Sequence, residues 1–407
     1  MNAPLNGLQA LTQGAVLSSF TRTARLLAGI EPGHKRPIEM TSGDPKEAMP
    51  AFVPDKLVEA KALLGTYPKI RGSDELRKAI AAWIRRRYSL ATEIDFEHEV
   101  LPVNGSREGL FFATLPAVGR KSFTGRPVIL LPNPFYQAYL GGTYAADCEP
   151  VYLNATAETE YLPDLDALAR EPDLLRRTAA LFICSPANPQ GSVASAAYIG
   201  KALALAREYD FMLFMDECYS EIYVGADAPA GGLQVAAATP ERFRNLIVFN
   251  SLSKRSNLPG MRSGFAAGDG AFLDALAEIR NLCAPQMPGP VQHASAAVWA
   301  EEQHVGVIRQ AYRTKFQVCD EVLKGRFGYR RPAGGFFLWL DVKELGGGEQ
   351  ATLAIWKRCG VKVIPGVYLA HEDRNGVNPG RYFIRVALVH DAATVREALT
   401  RIVELRA

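Results

Sequence analysis

Between about residues 100 and 270 the sequence alternates short, almost uninterrupted apolar runs with stretches of helical period. Few architectures accept that alternation. The apolar runs cover 128–131, 148–153, 181–184, 211–215, 246–249 and 264–267, and helical patterns include 106–116 and 194–209. Strands that are apolar at every position, not at alternate ones, are buried on both faces. The expected fold class is α/β, with a large domain whose mostly parallel sheet is flanked by helices. In such sheets ligands sit at the C-terminal ends of the strands. Asn188, Asp216 and Lys254 each come just after an apolar run.

Past Pro290 the pattern changes. Residues 291 to about 326 read as long helix with a break. Strands are expected at 336–342, 361–365 and 382–387, and helices at 351–358 and 393–405, which makes a smaller α/β domain. Residues 1–47 are too few to fold alone and are expected to pack against it. The expected division is therefore a large domain over 48–300, with 1–47 and 301–407 forming an N-terminal arm and small domain. A chain of 407 residues is long enough for both.

The net charge of +3 is too small to argue for nucleic acid or an anionic membrane surface. Arg85-Arg86-Arg87 ends a helical stretch that opens with Asp74 and Glu75, so it reads as a complement to the helix dipole. No run of about eighteen apolar residues and no leader pattern appears, so a soluble, cytoplasmic protein is expected. The six cysteines lie more than thirty residues apart in sequence, without a C-x-x-C pair. That spacing speaks against a zinc site, and no metal is expected.

The most telling polar segment is Ser251-Leu252-Ser253-Lys254-Arg255, followed by Gly260-Met261-Arg262-Ser263-Gly264. A lysine that forms an imine needs a sheltered pocket, a strand exit and neighbours that lower its pKa. A nearby arginine can do the last, and can also hold a phosphate. These are the requirements for anchoring pyridoxal phosphate, although a solvated Ser-Lys-Arg loop has the same local pattern. Asp216, in Phe214-Met215-Asp216-Glu217-Cys218-Tyr219, ends a buried run. A carboxylate there can keep a pyridinium nitrogen protonated, or it can cap a helix. Tyr219 can donate to a ring oxygen or serve as an ordinary interface tyrosine.

Cys184-Ser185-Pro186-Ala187-Asn188-Pro189-Gln190-Gly191 brackets Asn188 with prolines. That fixes its amide at a strand end, as a plain turn would. Asn104-Gly105-Ser106-Arg107 precedes an apolar helix, where Gly105 permits close backbone approach and the amides suit a phosphate. Within Pro132-Asn133-Pro134-Phe135-Tyr136-Gln137-Ala138-Tyr139 an aromatic can stack on a pyridine ring, while Phe135 also reads as core. Arg385 sits inside the apolar run Phe383-Ile384-Arg385-Val386-Ala387. A buried arginine needs a partner, either a substrate carboxylate or a structural acid. P-loop, dinucleotide, zinc-protease and serine-hydrolase motifs are absent from the sequence.

Taken together, these segments resemble the fold-type I, pyridoxal-phosphate-dependent aminotransferases of the class I/II group, from Gly43 to Arg385. The resemblance implies an aspartate-aminotransferase-like fold, pyridoxal 5'-phosphate as cofactor and a ping-pong exchange between amino and keto acids. It makes Lys254 the imine lysine, Asp216 the partner of the pyridine nitrogen, and Tyr219 and Asn188 partners of the ring. Gly105, Ser106 and Arg107 become the phosphate loop, with Arg262, Ser251 and Ser253 also at the phosphate, and Tyr136 the stacking aromatic. Tyr67, in Gly65-Thr66-Tyr67-Pro68, becomes the tyrosine that reaches the partner subunit's phosphate, which implies a homodimer with shared sites. Arg385 becomes the α-carboxylate clamp and Gly43 the glycine beside the substrate.

Common members read S-L-S-K-T-Y-N-M-T-G-W-R-I-G around the lysine. Here the lysine is followed by Arg255-Ser256-Asn257-Leu258-Pro259-Gly260-Met261-Arg262-Ser263-Gly264-Phe265, with Ser42-Gly43-Asp44-Pro45-Lys46 upstream. This variant is similar to the proteobacterial succinyldiaminopimelate aminotransferases of lysine biosynthesis. It implies glutamate as donor and N-succinyl-2-amino-6-oxopimelate as acceptor. Lys46 then either serves the far end of the substrate or is simply exposed. The rivals are an aspartate- or alanine-type aminotransferase or a C–S lyase on the same fold. A transcription regulator would need a DNA-binding appendage, for which about 45 leading residues are too few.

Overall fold

The computed structural model describes residues 7–12 and 17–405. In chain order its strands are β1 (Ile38–Glu39), β2 (Val100–Val103), β3 (Val128–Asn133), β4 (Glu149–Asn154), β5 (Thr178–Cys184) and β6 (Met212–Asp216). They continue with β7 (Leu246–Ser251), β8 (Gly264–Gly268), β9 (Phe337–Asp341), β10 (Val361–Lys362), β11 (Ile364–Pro365) and β12 (Phe383–Ala387).

Seven of these build one sheet in the order β2-β8-β7-β6-β5-β3-β4. The pairings from β7 through β6, β5 and β3 to β4 are all parallel. β8 is antiparallel to both of its neighbours, β7 and β2. So β2 runs with the parallel set and β8 alone runs against it. The C-terminal ends of six strands and the start of β8 therefore share one edge. Every position of β3, β5, β6, β7 and β8 is buried, which is why they read as unbroken apolar runs.

The sheet is mostly parallel, as expected, with two features beyond the expected runs. β2 adds a seventh strand: its Pro102 lacks an N–H for a ladder, a loss tolerated at the sheet edge where β2 lies. The last run, β8, belongs to the sheet but is reversed. Its link from β7 holds only a one-turn helix and a short 3-10 turn, too little for a parallel crossover.

Helices cover both faces. Asp74–Tyr88, Ala196–Glu208 and Gly289–Ala300 pack on one, around Trp83, Trp299 and Phe265. Ser106–Phe112, Ala138–Ala145 and Gly270–Cys283 pack on the other, around Phe182, Phe214 and Phe249. Helix Asp74–Tyr88 starts at a Ser73 cap and carries its acids and bases as expected. Arg87 does more than face the dipole: its Nε donates to buried Glu221 at 2.5 Å. The expected helix 106–116 divides at Ala113. Pro116 has no N–H for the Phe112 carbonyl, and Thr114 Oγ1 donates to the Phe111 carbonyl at 2.7 Å.

The long helix expected after residue 291 is two helices, Gly289–Ala300 and Gln303–Leu323, joined at Glu301-Glu302. Beyond that joint, β9, β12 and β11 form an antiparallel sheet packed by Gly348–Cys359 and Ala392–Glu404. The expected strand 361–365 divides at Val363, because β10 pairs with β1 while β11 pairs with β12. The Ile38↔Val361 register ties the N-terminal segment to this C-terminal unit. No helix among the described residues is long and apolar enough to cross a membrane.

Candidate active site

A cleft of about 750 Å³ opens at the shared edge of the large sheet, and its far wall comes from β9, β12 and the residue-43 segment. Lys254 is the third residue of the turn Leu252–Arg255, which follows β7 directly. Its ammonium donates to the Gly43 carbonyl. Burial lowers its pKa from 10.5 to about 8; the positive charges of Arg385 and Arg262 act in the same direction, while Cys218 and Asp44 oppose. Arg255 points the other way, out of the cleft and into the core. The cations acting on Lys254 are therefore Arg262 and Arg385, not its sequence neighbour.

Asp216 closes β6, in register with Cys184 of β5 and Phe249 of β7. Its Oδ2 accepts from the Tyr139 hydroxyl at 2.7 Å and its Oδ1 from the Cys218 amide at 3.2 Å. Burial pushes its pKa up, against those two donors and the charge of Lys254. The helix-cap alternative does not describe it. Tyr219 is buried and packs edge-on against Phe336 and Phe337, and burial drives its phenol well above the usual range.

Asn188 follows β5, and its Oδ1 accepts from Arg385 Nη1 at 3.1 Å. Arg385 also donates to the Thr41 carbonyl at 2.8 Å and lies 4.4 Å over the Phe337 ring. No acidic side chain among the described residues forms an ion pair with it, and its buried Nε has no partner there. Burial lowers its pKa to about 10. The structural-acid alternative thus gives way to a guanidinium that is held from behind and faces the cleft.

Ser106, Arg107, Ser251, Ser253 and Arg262 gather at the opposite end. Val103↔Gly264↔Ser251 register brings the ends of β2 and β7 to the start of β8. Ser251 Oγ caps Ser253 N at 3.1 Å, and Arg262 donates to the Pro259 and Asn104 carbonyls. Gly105 has φ +78°, and a Cβ there would lie 2.4 Å from Arg262 Nη2. Tyr136 lines the cleft with its hydroxyl held by Arg107 Nε at 2.7 Å. Phe135 is buried and clusters with Tyr152 and His371, the three rings lying 5.0–5.6 Å apart. Tyr67 is fully exposed and Lys46 is exposed, and both lie outside the cleft.

The family model described as aminotransferase class I and II matches residues 35–402. The chain belongs to the class I and II aminotransferases. The LL-diaminopimelate aminotransferase of Moorella thermoacetica is 31% identical over 390 residues, 93% of this chain and 94% of that one. Among solved structures, an aminotransferase from Neisseria meningitidis superposes with a TM-score of 0.91 at 36% identity, covering 98% of this chain and 100% of that one. A probable N-succinyldiaminopimelate aminotransferase from Thermus thermophilus gives 0.80 at 25%, covering 95% and 100%.

This aminotransferase family uses pyridoxal 5'-phosphate, and the cleft of this member fits it. Gly105 holds a positive φ that side chains rarely adopt and brings the backbone against the Arg262 guanidinium, as a phosphate cradle requires. A buried carboxyl with a raised pKa stands at Asp216, ready for a ring cation. Residues outside the sequence expectations also take part. Tyr139 supports Asp216, and its signal was its place three residues after Tyr136 in one aromatic run. Thr41 offers only a backbone carbonyl, for which no side-chain signal exists. Among the described residues no cluster of metal-ligating side chains occurs.

Proposed function

We propose that this aminotransferase moves the amino group of glutamate onto N-succinyl-2-amino-6-oxopimelate, in two half-reactions that share one cleft. The observation that supports it most is Arg385, a buried guanidinium with no acidic partner among the described residues, facing the same cleft as Lys254. Glutamate, 2-oxoglutarate and the acceptor all carry the α-carboxylate that such a fork binds. The long substrate is supported by the Arg255–Phe265 and Ser42–Lys46 segments and by the likeness to the Thermus enzyme.

When bound, pyridoxal phosphate supplies an electron sink. In this reading Arg385, braced by Asn188 and Thr41, orients the α-carboxylate. Ser106, Arg107, Ser251, Ser253 and Arg262 would hold the phosphate, with Gly105 giving them access. Asp216 would pair with the protonated ring nitrogen, Tyr136 would stack on the ring, and Tyr219 would donate to its oxygen. Lys254 would anchor the cofactor and, once free, would take the proton from the substrate Cα. Burial in the empty cleft lowers its pKa to about 8, toward the range in which an amine serves as a base.

We infer further that two copies pair, with Tyr67 completing the neighbour's phosphate site. Tyr67 stands beside the exposed Leu63, Leu64 and Ile70, an apolar stretch suited to being covered. The working division is a large domain over 48–300 with 1–47 and 301–407 as N-terminal arm and small domain, in a cytoplasmic enzyme.

A second reading, free LL-diaminopimelate as the donor, is favoured by the relative from Moorella. N-succinyl-LL-diaminopimelate and LL-diaminopimelate are each offered with 2-oxoglutarate, and glutamate formation is measured. The first reading expects kcat/KM about 100-fold higher for the succinylated donor, the scale that one well-read group can supply. Preference for the free diamine establishes the second. Turnover of aspartate or alanine with neither of these defeats both.

A further inference from the structure

The helix that carries Lys254 has only four residues, Leu252–Arg255. One turn has no stability of its own, so its placement depends on what holds its two ends. The front end is held within the cleft: Ser251 Oγ accepts from Ser253 N, and Leu252 N donates to the Ser263 carbonyl at 3.1 Å. The rear end is held by Arg255.

The Arg255 side chain is fully buried. Nη1 donates to the Val298 carbonyl and to Ser256 Oγ, both at 3.0 Å. Nη2 donates to the Glu301 carbonyl at 3.0 Å and to Glu302 Oε1 at 2.6 Å. The guanidinium lies 5.0 Å from the Trp299 ring and 5.6 Å from that of Trp83. A second tie runs beside it, where His304 Nε2 meets Ser256 Oγ at 2.8 Å while its Nδ1 meets Glu301. Glu301 and Glu302 are the joint between helices Gly289–Ala300 and Gln303–Leu323, and His304 stands in the first turn of the second, where the chain passes from the large sheet's cover to the C-terminal unit.

We propose that Arg255 is a positioning residue for Lys254, locking the lysine's single turn to the Glu301-Glu302 joint so that the amine keeps its place in the cleft. The inference rests on the reading of Lys254 as the cofactor lysine, but not on the choice of substrate. A lysine at 255 has no planar fork and cannot serve both carbonyls and the carboxylate together. Glutamine at 302 still offers an oxygen, so only the loss of the fork itself disturbs Lys254.

The test compares the loaded enzyme with Arg255→Met, Arg255→Lys and Glu302→Gln. For the glutamate half-reaction, Arg255→Met and Arg255→Lys are expected to lower kcat about 10- to 100-fold, the cost of misplacing a reacting group by about an ångström. KM for glutamate stays within about threefold, because Arg385 is untouched. Cofactor release on dilution, followed by absorbance, becomes faster in both, and Glu302→Gln stays near wild type. A lowered Tm with unchanged kcat and unchanged cofactor release makes Arg255 merely structural and overturns the proposal. If the Arg255 variants do not fold, His304→Phe decides: it keeps a ring beside Phe52 and removes the second tie, the contacts to Ser256 and Glu301 together. A fall in kcat at constant KM supports the proposal, and an unchanged kcat overturns it. Loss of all activity in Lys254→Ala, measured alongside, tests the underlying assignment separately.

Discussion

Replacing Lys254 by methionine should stabilise the cofactor-free protein at neutral pH, and the gain should fade as the pH rises. The ammonium is pressed among protein atoms with one carbonyl, that of Gly43, as its hydrogen-bond partner. Its pKa falls from 10.5 to about 8, chiefly through burial. At about 1.4 kcal/mol per pH unit, that displacement corresponds to about 3 kcal/mol. The sign follows from proton counting. The unfolded chain holds the proton up to about pH 10.5 and the folded chain only to about pH 8. Between those limits the unfolded state binds more protons, so stability rises with pH. Below about 8 both states are protonated and the full penalty of burying the charge is present.

Methionine keeps the length of the stem and has no charge to bury. Urea unfolding of wild type and Lys254→Met, both freed of cofactor, would be followed at pH 7 and pH 10. The variant should be more stable by about 3 kcal/mol at pH 7, shrinking to about 1 kcal/mol at pH 10. Comparing the two proteins at each pH cancels the shared titrating groups that the Lys254 charge does not shift. A difference that is the same at both pH values would show that the amine is not desolvated in the folded state. The argument for Lys254 as a group tuned by burial would then fail.

Arg385→Lys keeps the charge but loses one arm of the fork, worth about 1.5–3 kcal/mol, so kcat/KM for glutamate should fall about 10- to 150-fold. Steady-state kinetics check this, and a loss under threefold would remove Arg385 from carboxylate binding. Gly105→Ala places a Cβ against Arg262 Nη2 at a positive φ. It should weaken pyridoxal phosphate binding at least about tenfold, as read by cofactor titration of the stripped protein. Tyr139→Phe keeps the stack on Phe182, 4.6 Å between centroids, but leaves Asp216 one donor short. The carboxylate then loses about 1.5–3 kcal/mol of support, and kcat should drop about tenfold or more with folding intact by circular dichroism.

The parts of the fold legible in advance were those with one dominant physical cause. β3, β5, β6 and β7 are buried on both faces, and that alone writes a continuous apolar run. β2 carries Pro102, and only its place at the sheet edge, a tertiary fact, makes that harmless. The reversal of β8 likewise depends on how short its connection is in space. In the site, Asn188, Asp216 and Lys254 were legible because strand ends are where such sheets bind ligands. Arg255 was legible as a charge but not as a direction. Its neighbour in sequence is in the cleft, and it is not, because a four-residue turn faces its third and fourth side chains apart.

The same geometry explains why so many site residues carry unmet demands. Lys254 has a lowered pKa, Asp216 a raised one, and Arg385 a buried Nε without a partner among the described residues. Each runs against the stability of the cofactor-free fold, and each is of the kind a specific ligand group relieves: a carbonyl carbon, a ring cation, a carboxylate. Ligands that bind only the folded state shift unfolding in proportion to their binding free energy. Cofactor and substrate should therefore restore stability that the empty cleft gives up, at the same residues that would perform the exchange. The large sheet can carry that strain because Asp216 closes β6 and Lys254 follows β7 directly, and every residue of those two strands is packed. The cleft is thus built to be most stable when filled, which is the arrangement a tightly held cofactor requires.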